Sequence, residues 1–284
     1  MNTYLECIPC FFRQALFAGR AAADDESTVK EILDRVAGLV PDIPLDSSPP
    51  ETARLIYRVV REVTGKVDPF ESYKEKSIET AKSFYPELKS VVERSEDTLR
   101  TSVLVAIAGN VIDPGADQNF DLAREMKGFL SQELAIDDYE SFRQRLEAAR
   151  RVLYLGDNAG ETIFDKILIE TIAKDVIYAV RGAPIINDAT IEDAEKSGLC
   201  EVARVVSSGC DAPGTLLKRC SERFVEIFNS ADIIISKGQG NYESLAGEKA
   251  PIFFLLKVKC PVIAQHIGTE TGVMVLKDSR SFTC

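Results

Sequence analysis

From residue 151 onward, short β-branched and apolar runs alternate with stretches patterned at the helical period. The runs are RVLYL (151–155), VIYAV (176–180), ARVVS (203–207), DIIIS (232–236), PIFFLL (251–256) and VMVL (273–276), and segments such as TLLKRCSERFVEIFNSA lie between them. Strands alternating with helices predict βαβ units and a mainly parallel sheet. Right-handed crossovers would bring the loops that follow the strands to one edge of it. Residues 1–95 read as helical. ESTVKEILDRVAGLV and ETARLIYRVVREVTG repeat apolar positions near the helical period, and the second stops at Gly65. YLECIPCFFRQALFAGRAAA carries apolar residues throughout and predicts a mostly buried helix. PDIPLDSSPP (41–50) and KVDPF (66–70) are breaks. DTLRTSVLVAIAG predicts a further helix that ends at Gly109 and leads into NVIDPGADQNFDL. The expected organisation is a helical N-terminal region over 1–95 and an α/β core over 96–284.

Composition narrows the function classes. With 45% hydrophobic and 28% charged residues the chain has an ordinary soluble balance. No stretch approaches the ~20 apolar residues of a membrane span. The start, MNTYLECIPCFFRQ, lacks the layout of a secretory leader, so a cytoplasmic protein is expected. A net charge of −11 argues against bulk nucleic-acid binding. A small anionic substrate would need local positive charge. The seven cysteines are odd in number and widely spaced, unlike a secreted disulfide framework. The single histidine, His266, would have to carry any Ser-His-Asp mechanism alone, and histidine-rich zinc sites are excluded.

In such a sheet, ligands bind beyond the carboxyl ends of the strands. The first run is followed by GDNAGE, with Asp157, Asn158, Gly160 and Glu161. The second is followed by RGAPIINDAT, with Arg181, Asn187 and Asp188. SGCDAPGT, with Asp211, comes next, then SKGQGNYE, with Lys237, Gly238, Asn241 and Glu243, and finally KVKCP, with Lys257 and Lys259. Asp157, Asn158 and Asp188 offer hard oxygen ligands suited to Mg²⁺ or Mn²⁺ rather than to a sulfur-bound metal. The lysines could hold a phosphate against that ion, and a helix start beside Gly160 would add an anion-friendly surface. A plainer reading stands beside this one. Asp and Asn at strand-to-helix junctions are ordinary N-caps, Asp188 could cap a helix starting near Thr190, and Lys257 and Lys259 could be a solvated pair.

GDNAGE, NDAT, SKGQGNYE and LLKVKC, in this order, resemble the signature blocks of the family first catalogued as domain of unknown function 89, now associated with metal-dependent damage-control phosphatases. AGNVID (108–113), which contains Asn110, and the N-terminal CIPC resemble the subgroup with paired cysteines. The resemblance implies a three-layer α/β/α core beside a helical N-terminal region. It also implies hydrolysis of phosphate monoesters such as sugar phosphates with a divalent metal: Mg²⁺ or Mn²⁺, or alternatively Co²⁺ or Ni²⁺. It places Asp157, Asn158 and Asp188 at the metal and Lys259 near the phosphate. Lys237, Gly238 and Asn241 match its KG-x-x-N block.

The expected site is therefore Asp157 and Lys259 for catalysis, Asp157, Asn158 and Asp188 for metal, and Asn110, Glu161, Arg181, Lys237, Gly238, Asn241 and Lys257 around the substrate, a small phosphorylated metabolite. Glu161 could act as a base from behind the ligands, although a first-turn glutamate also suits a helix dipole. Cys7 and Cys10 read as two core-facing cysteines on one helix face, with a metal or redox role as the alternative. A methyltransferase-like or dehydrogenase-like cofactor enzyme is the enzymatic rival, but GDNAG lacks the full G-x-G-x-x-G fingerprint. The non-enzymatic rival is a metal-binding or small-ligand-binding module.

Overall fold

The structure is a computed structural model that describes residues 1–109, 128–129 and 132–281. All six strand-forming runs are strands: β2 (Val152–Leu155), β3 (Val176–Val180), β4 (Arg204–Ser207), β5 (Ile233–Lys237), β6 (Ile252–Lys257) and β7 (Met274–Asp278). A two-residue strand that the pattern does not reveal, β1 (Ile136–Asp137), pairs with β7. The seven strands lie in the order β1-β7-β6-β5-β2-β3-β4. The ladders are parallel except between β6 and β7, which run antiparallel.

Both faces of the sheet are covered, which explains why its strands read as continuous apolar runs. Val152, Tyr154, Ile233, Ile235, Phe253 and Leu255 face a cluster shared with helices α4 (Glu71–Glu93), α5 (Thr98–Gly109), α6 (Tyr139–Ala148) and α7 (Thr162–Ile172). The alternate residues Leu153, Leu155, Ile234, Phe254 and Leu256 face the other way. They pack with α9 (Glu222–Ser230), α10 (Gln239–Leu245) and α11 (Pro261–Ile267); α8 (Ile191–Lys196) follows β3. The result is a three-layer α/β/α core.

The helices α1 (Cys7–Ala22), α2 (Glu26–Leu39) and α3 (Pro49–Thr64) build a separate apolar cluster around Phe11, Ala15, Ile32, Ile56 and Val60. The first helix is buried on one face only: Leu5, just before it, and Phe17 within it are exposed, contrary to the expectation of a mostly buried helix. The third ends at Gly65, whose left-handed φ of 68° closes it. Helix α3 reaches the loops beyond the strands, where Arg61 donates to the Pro184 carbonyl and Arg54 pairs with Asp211. The helical region therefore sits beside the carboxyl edge of the sheet. Among the described residues, no helix is long and apolar enough to cross a membrane.

Candidate active site

The chain changes its direction of travel between two neighbouring strands. From β2 it moves to β3 and β4 on one side, and from β5 it moves to β6 on the other. Loops leaving such a pair diverge and open a crevice at the carboxyl ends. Asp157 lies in that crevice against Gly238. Residue 238 has a φ of 77°, and a Cβ there would overlap the Asp157 carboxylate, so both backbone angle and space require glycine.

Backbone hydrogen bonds lock the loop after β2 to the loop after β3. Ala189 N–H donates to the Asp157 carbonyl at 2.8 Å, and Ala159 N–H donates to the Asn187 carbonyl at 2.8 Å. A single antiparallel bridge pairs Asn158 with Asp188. Ile186, at a φ of 46°, makes the tight turn that delivers this pairing. Asp157, Asn158 and Asp188 are thus brought together from two loops by main-chain geometry.

The capping alternative does not hold. Thr190 caps α8, in a reciprocal box with Asp193. Asn158, before the short 3₁₀ turn Ala159–Glu161, makes no side-chain cap bond. Gly160, expected to leave its backbone open to an anion, instead packs against Ser77 of α4, where a Cβ would come within 3.0 Å.

Arg181 faces both aspartates. Its Nε donates to Asp188 Oδ2 at 2.6 Å, and Nη2 lies 3.5 Å from Asp157 Oδ1. Nη1 reaches Asn241 Oδ1 at 3.1 Å and Thr215 Oγ1 at 3.3 Å. Nη2 is buried and makes no hydrogen bond. Behind Asn158, Glu161 Oε1 accepts from the Asn158 amide at 2.7 Å, and Oε2 accepts from Lys237 at 2.9 Å. Lys237 also donates to Asp165 at 2.7 Å. The Asn158 amide nitrogen is thus committed to Glu161.

The electrostatics are unbalanced. Fully ionised, the four carboxylates of Asp157, Asp188, Glu161 and Asp165 would outnumber the facing cations of Arg181 and Lys237 by two. Burial, then the charges of Glu161 and Asp188, push the Asp157 carboxyl up to about 8. Burial also raises Asp188, against the opposing pull of Arg181. Lys237 is held above its ordinary range by Asp165 and Glu161 although burial pulls it down. A divalent cation would supply the two charges that full ionisation of these carboxylates calls for. Among the described residues, no three His, Cys, Asp or Glu side chains form a metal cage. Two carboxylates and an amide oxygen are the sparse set that suits Mg²⁺ or Mn²⁺, which complete their shells with water and phosphate oxygens.

Several residues expected at the substrate have other work. Lys237 is fully buried, and its ammonium is engaged behind the ligands by Glu161 and Asp165. Asn241 accepts from Arg181 and Thr215 and donates to the Gly156 and Lys237 carbonyls, so it braces the ends of β2 and β5. Arg181 is buried against the aspartates, and Glu161 has both oxygens engaged by protein groups. Gly238 serves the close approach of Asp157. Lys257 holds its ammonium 5.6 Å from the centroid of the Phe129 ring. Lys259 is exposed just past β6, its N–H held by the Gln239 side chain, and its charge lowers the Asp157 pKa against the larger effect of burial. Asn110 and the stretch 110–120 lie outside the described residues.

His266 Nδ1 is engaged by the Tyr242 hydroxyl at 2.8 Å. Cys7 and Cys10 are half-buried free thiols on α1. Pattern reading missed Asp165, Thr215, Tyr154 and Tyr178. One usable signal was present: Glu161 and Asp165 are four apart at a helix start, which places them on one face.

Comparison with known proteins agrees with the fold and gives the family. Residues 3–275 match the family described as the damage-control phosphatase ARMT1-like domain. A damage-control phosphatase of Pyrococcus horikoshii is 36% identical over 282 residues, covering 97% of this chain and 97% of its own length. One of Archaeoglobus fulgidus is 34% identical over 283 residues, covering 95% and 97%. The crystal structure of a domain-of-unknown-function-89 family protein from Pyrococcus horikoshii superimposes with a TM-score of 0.90 at 35% identity, covering 98% of this chain and 99% of that one.

Proposed function

Because this chain belongs to the damage-control phosphatase ARMT1-like family, we propose that it is a metal-dependent phosphatase acting on small phosphate monoesters such as sugar phosphates. One observation carries the metal part of the reading: two loops are stitched together so that Asp157, Asn158 and Asp188 meet among buried carboxylates that outnumber their cations by two when fully ionised. These three residues would hold Mg²⁺ or Mn²⁺, with Co²⁺ or Ni²⁺ as substitutes. When bound, the ion supplies charge neutralisation at the phosphoryl oxygens and an acidified water. Arg181 keeps the two aspartates apart and oriented. Asp157 has the most exposed side chain of the four carboxylates, at 12%, and is the one placed to exchange a proton with water on the substrate side. Lys259, exposed at the rim, stabilises charge on the transferring phosphoryl group.

The test is phosphate release from a panel of sugar phosphates and nucleotides, repeated with Mg²⁺, Mn²⁺, Co²⁺ and Ni²⁺. Metal-dependent turnover is expected, and Asp157→Ala or Asp188→Ala should abolish it in a folded protein. Unchanged metal affinity in both variants by calorimetry would overturn the site assignment. Metal binding without hydrolysis of any phosphoester would favour a binding module.

A further inference from the structure

Asp165 is fully buried, yet one of its contacts leads to the crevice. It lies in the first turn of α7. Tyr154 and Tyr178 are register partners on β2 and β3 with rings stacked at 5.1 Å. Their hydroxyls donate to Asp165 Oδ1 and Oδ2, each at 2.7 Å. The same carboxylate accepts from Lys237 at 2.7 Å; Lys237 donates to Glu161 at 2.9 Å, and Glu161 accepts from the Asn158 amide at 2.7 Å. Tyr154, Tyr178, Asp165, Lys237 and Glu161 are all essentially inaccessible to water.

Apolar packing alone does not call for such an arrangement. A buried ion pair is often replaceable by well-packed apolar residues at little loss of stability. What this chain does is directional. A carboxylate held by two rigid phenols fixes an ammonium. The ammonium fixes one oxygen of Glu161, and the other oxygen fixes the amide nitrogen of Asn158. We infer that Asp165 is a positioning residue for the metal site, setting through Lys237 and Glu161 the orientation in which Asn158 offers its oxygen. This rests on the metal-dependent reading above. Groups that orient a metal ligand from behind typically change metal affinity ~10–100-fold when they are removed.

Calorimetric titration of the full-length, chelator-treated protein with Mn²⁺ tests this. Asp165→Asn should bind Mn²⁺ at least ~10-fold more weakly than wild type. Because that variant also removes a negative charge, the charge-conserving double variant Asp165→Asn/Lys237→Met separates field from position, and it too should lose at least ~10-fold. Normal affinity in the double variant with weak binding in the single would mean that only the charge matters, which overturns the inference. Normal affinity in both overturns it as well. If neither variant folds, Tyr178→Phe loosens the carboxylate without changing charge. A few-fold weaker Mn²⁺ binding then supports the inference, and unchanged binding sinks it. A wild-type protein that binds no Mn²⁺ overturns the metal reading and this inference together, whereas normal wild-type binding with unaffected variants overturns this inference alone.

Discussion

Lys257 and Lys259 are two residues apart, yet their side chains have different surroundings. Lys257 is half-buried at the end of β6 with its ammonium over Phe129, whereas Lys259 is exposed and close enough to bear on Asp157. A lysine that neutralises developing charge in a preorganised site is worth ~3–4 kcal/mol, or 10² to 10³ in rate, and an ordinary surface lysine almost nothing. Lys259→Ala should therefore lower kcat for a phosphate monoester by at least ~100-fold with little change in metal affinity. Lys257→Ala should cost less. A Lys259→Ala enzyme with near-normal kcat/KM would remove Lys259 from the phosphate. At this scale the residues that meet in the crevice, Asp157, Asn158 and Asp188, were legible, because they lie in the loops that follow strand-forming runs. The orientation of their neighbours was not. Lys237 ends a strand and Asn241 follows it, much as Lys259 follows β6, and nothing in their spacing says that they turn inward to Glu161 and to Arg181.

Among the elements, the strands were legible because burial on both faces writes continuous apolar runs. The two-residue β1 leaves no such trace, and the position of β5 beside β2 is set by crossovers that carry no sequence mark. The start of α8 shows how a plausible cap can mislead. Asp188 stands two residues before Thr190, but Thr190 and Asp193 form the box, and Asp188 is released to Arg181. Asp193 has a second partner. Lys74, buried on α4, donates to it at 2.7 Å and approaches Asp68 at 2.8 Å, tying α4 to the start of α8 directly behind the site loop. Removing one member of a buried pair leaves the other uncompensated, typically at a cost of ~3–5 kcal/mol. Lys74→Met should lower stability by about that amount in denaturant unfolding. A loss below ~1 kcal/mol would show that the pair behaves like a solvated one.

At the scale of the whole molecule, the charge excess of the site sits inside a chain whose net charge is already −11. Any salt will relieve surface repulsion to some degree, so generic screening must be separated from binding. A cation that binds the folded state alone stabilises it by ~2.7 kcal/mol at 100 times its Kd. For a chain somewhat larger than 250 residues, where 1 kcal/mol moves the midpoint by ~2–4 °C or slightly less, that is a rise in Tm of roughly 5–10 °C. Mn²⁺ or Mg²⁺ should produce this rise in chelator-treated protein, and NaCl at matched ionic strength should not. Asp157→Asn should behave in the opposite sense. It removes a carboxyl whose ionisation burial, Glu161 and Asp188 all oppose and leaves the Arg181–Asp188 pair intact, so its metal-free Tm should equal or exceed that of wild type, while its response to the divalent ion should vanish. The site would then be a place where the fold gives up stability that the ion restores. An equal shift in the variant would locate the ion elsewhere, and a wild-type shift that NaCl reproduces would reduce the effect to screening.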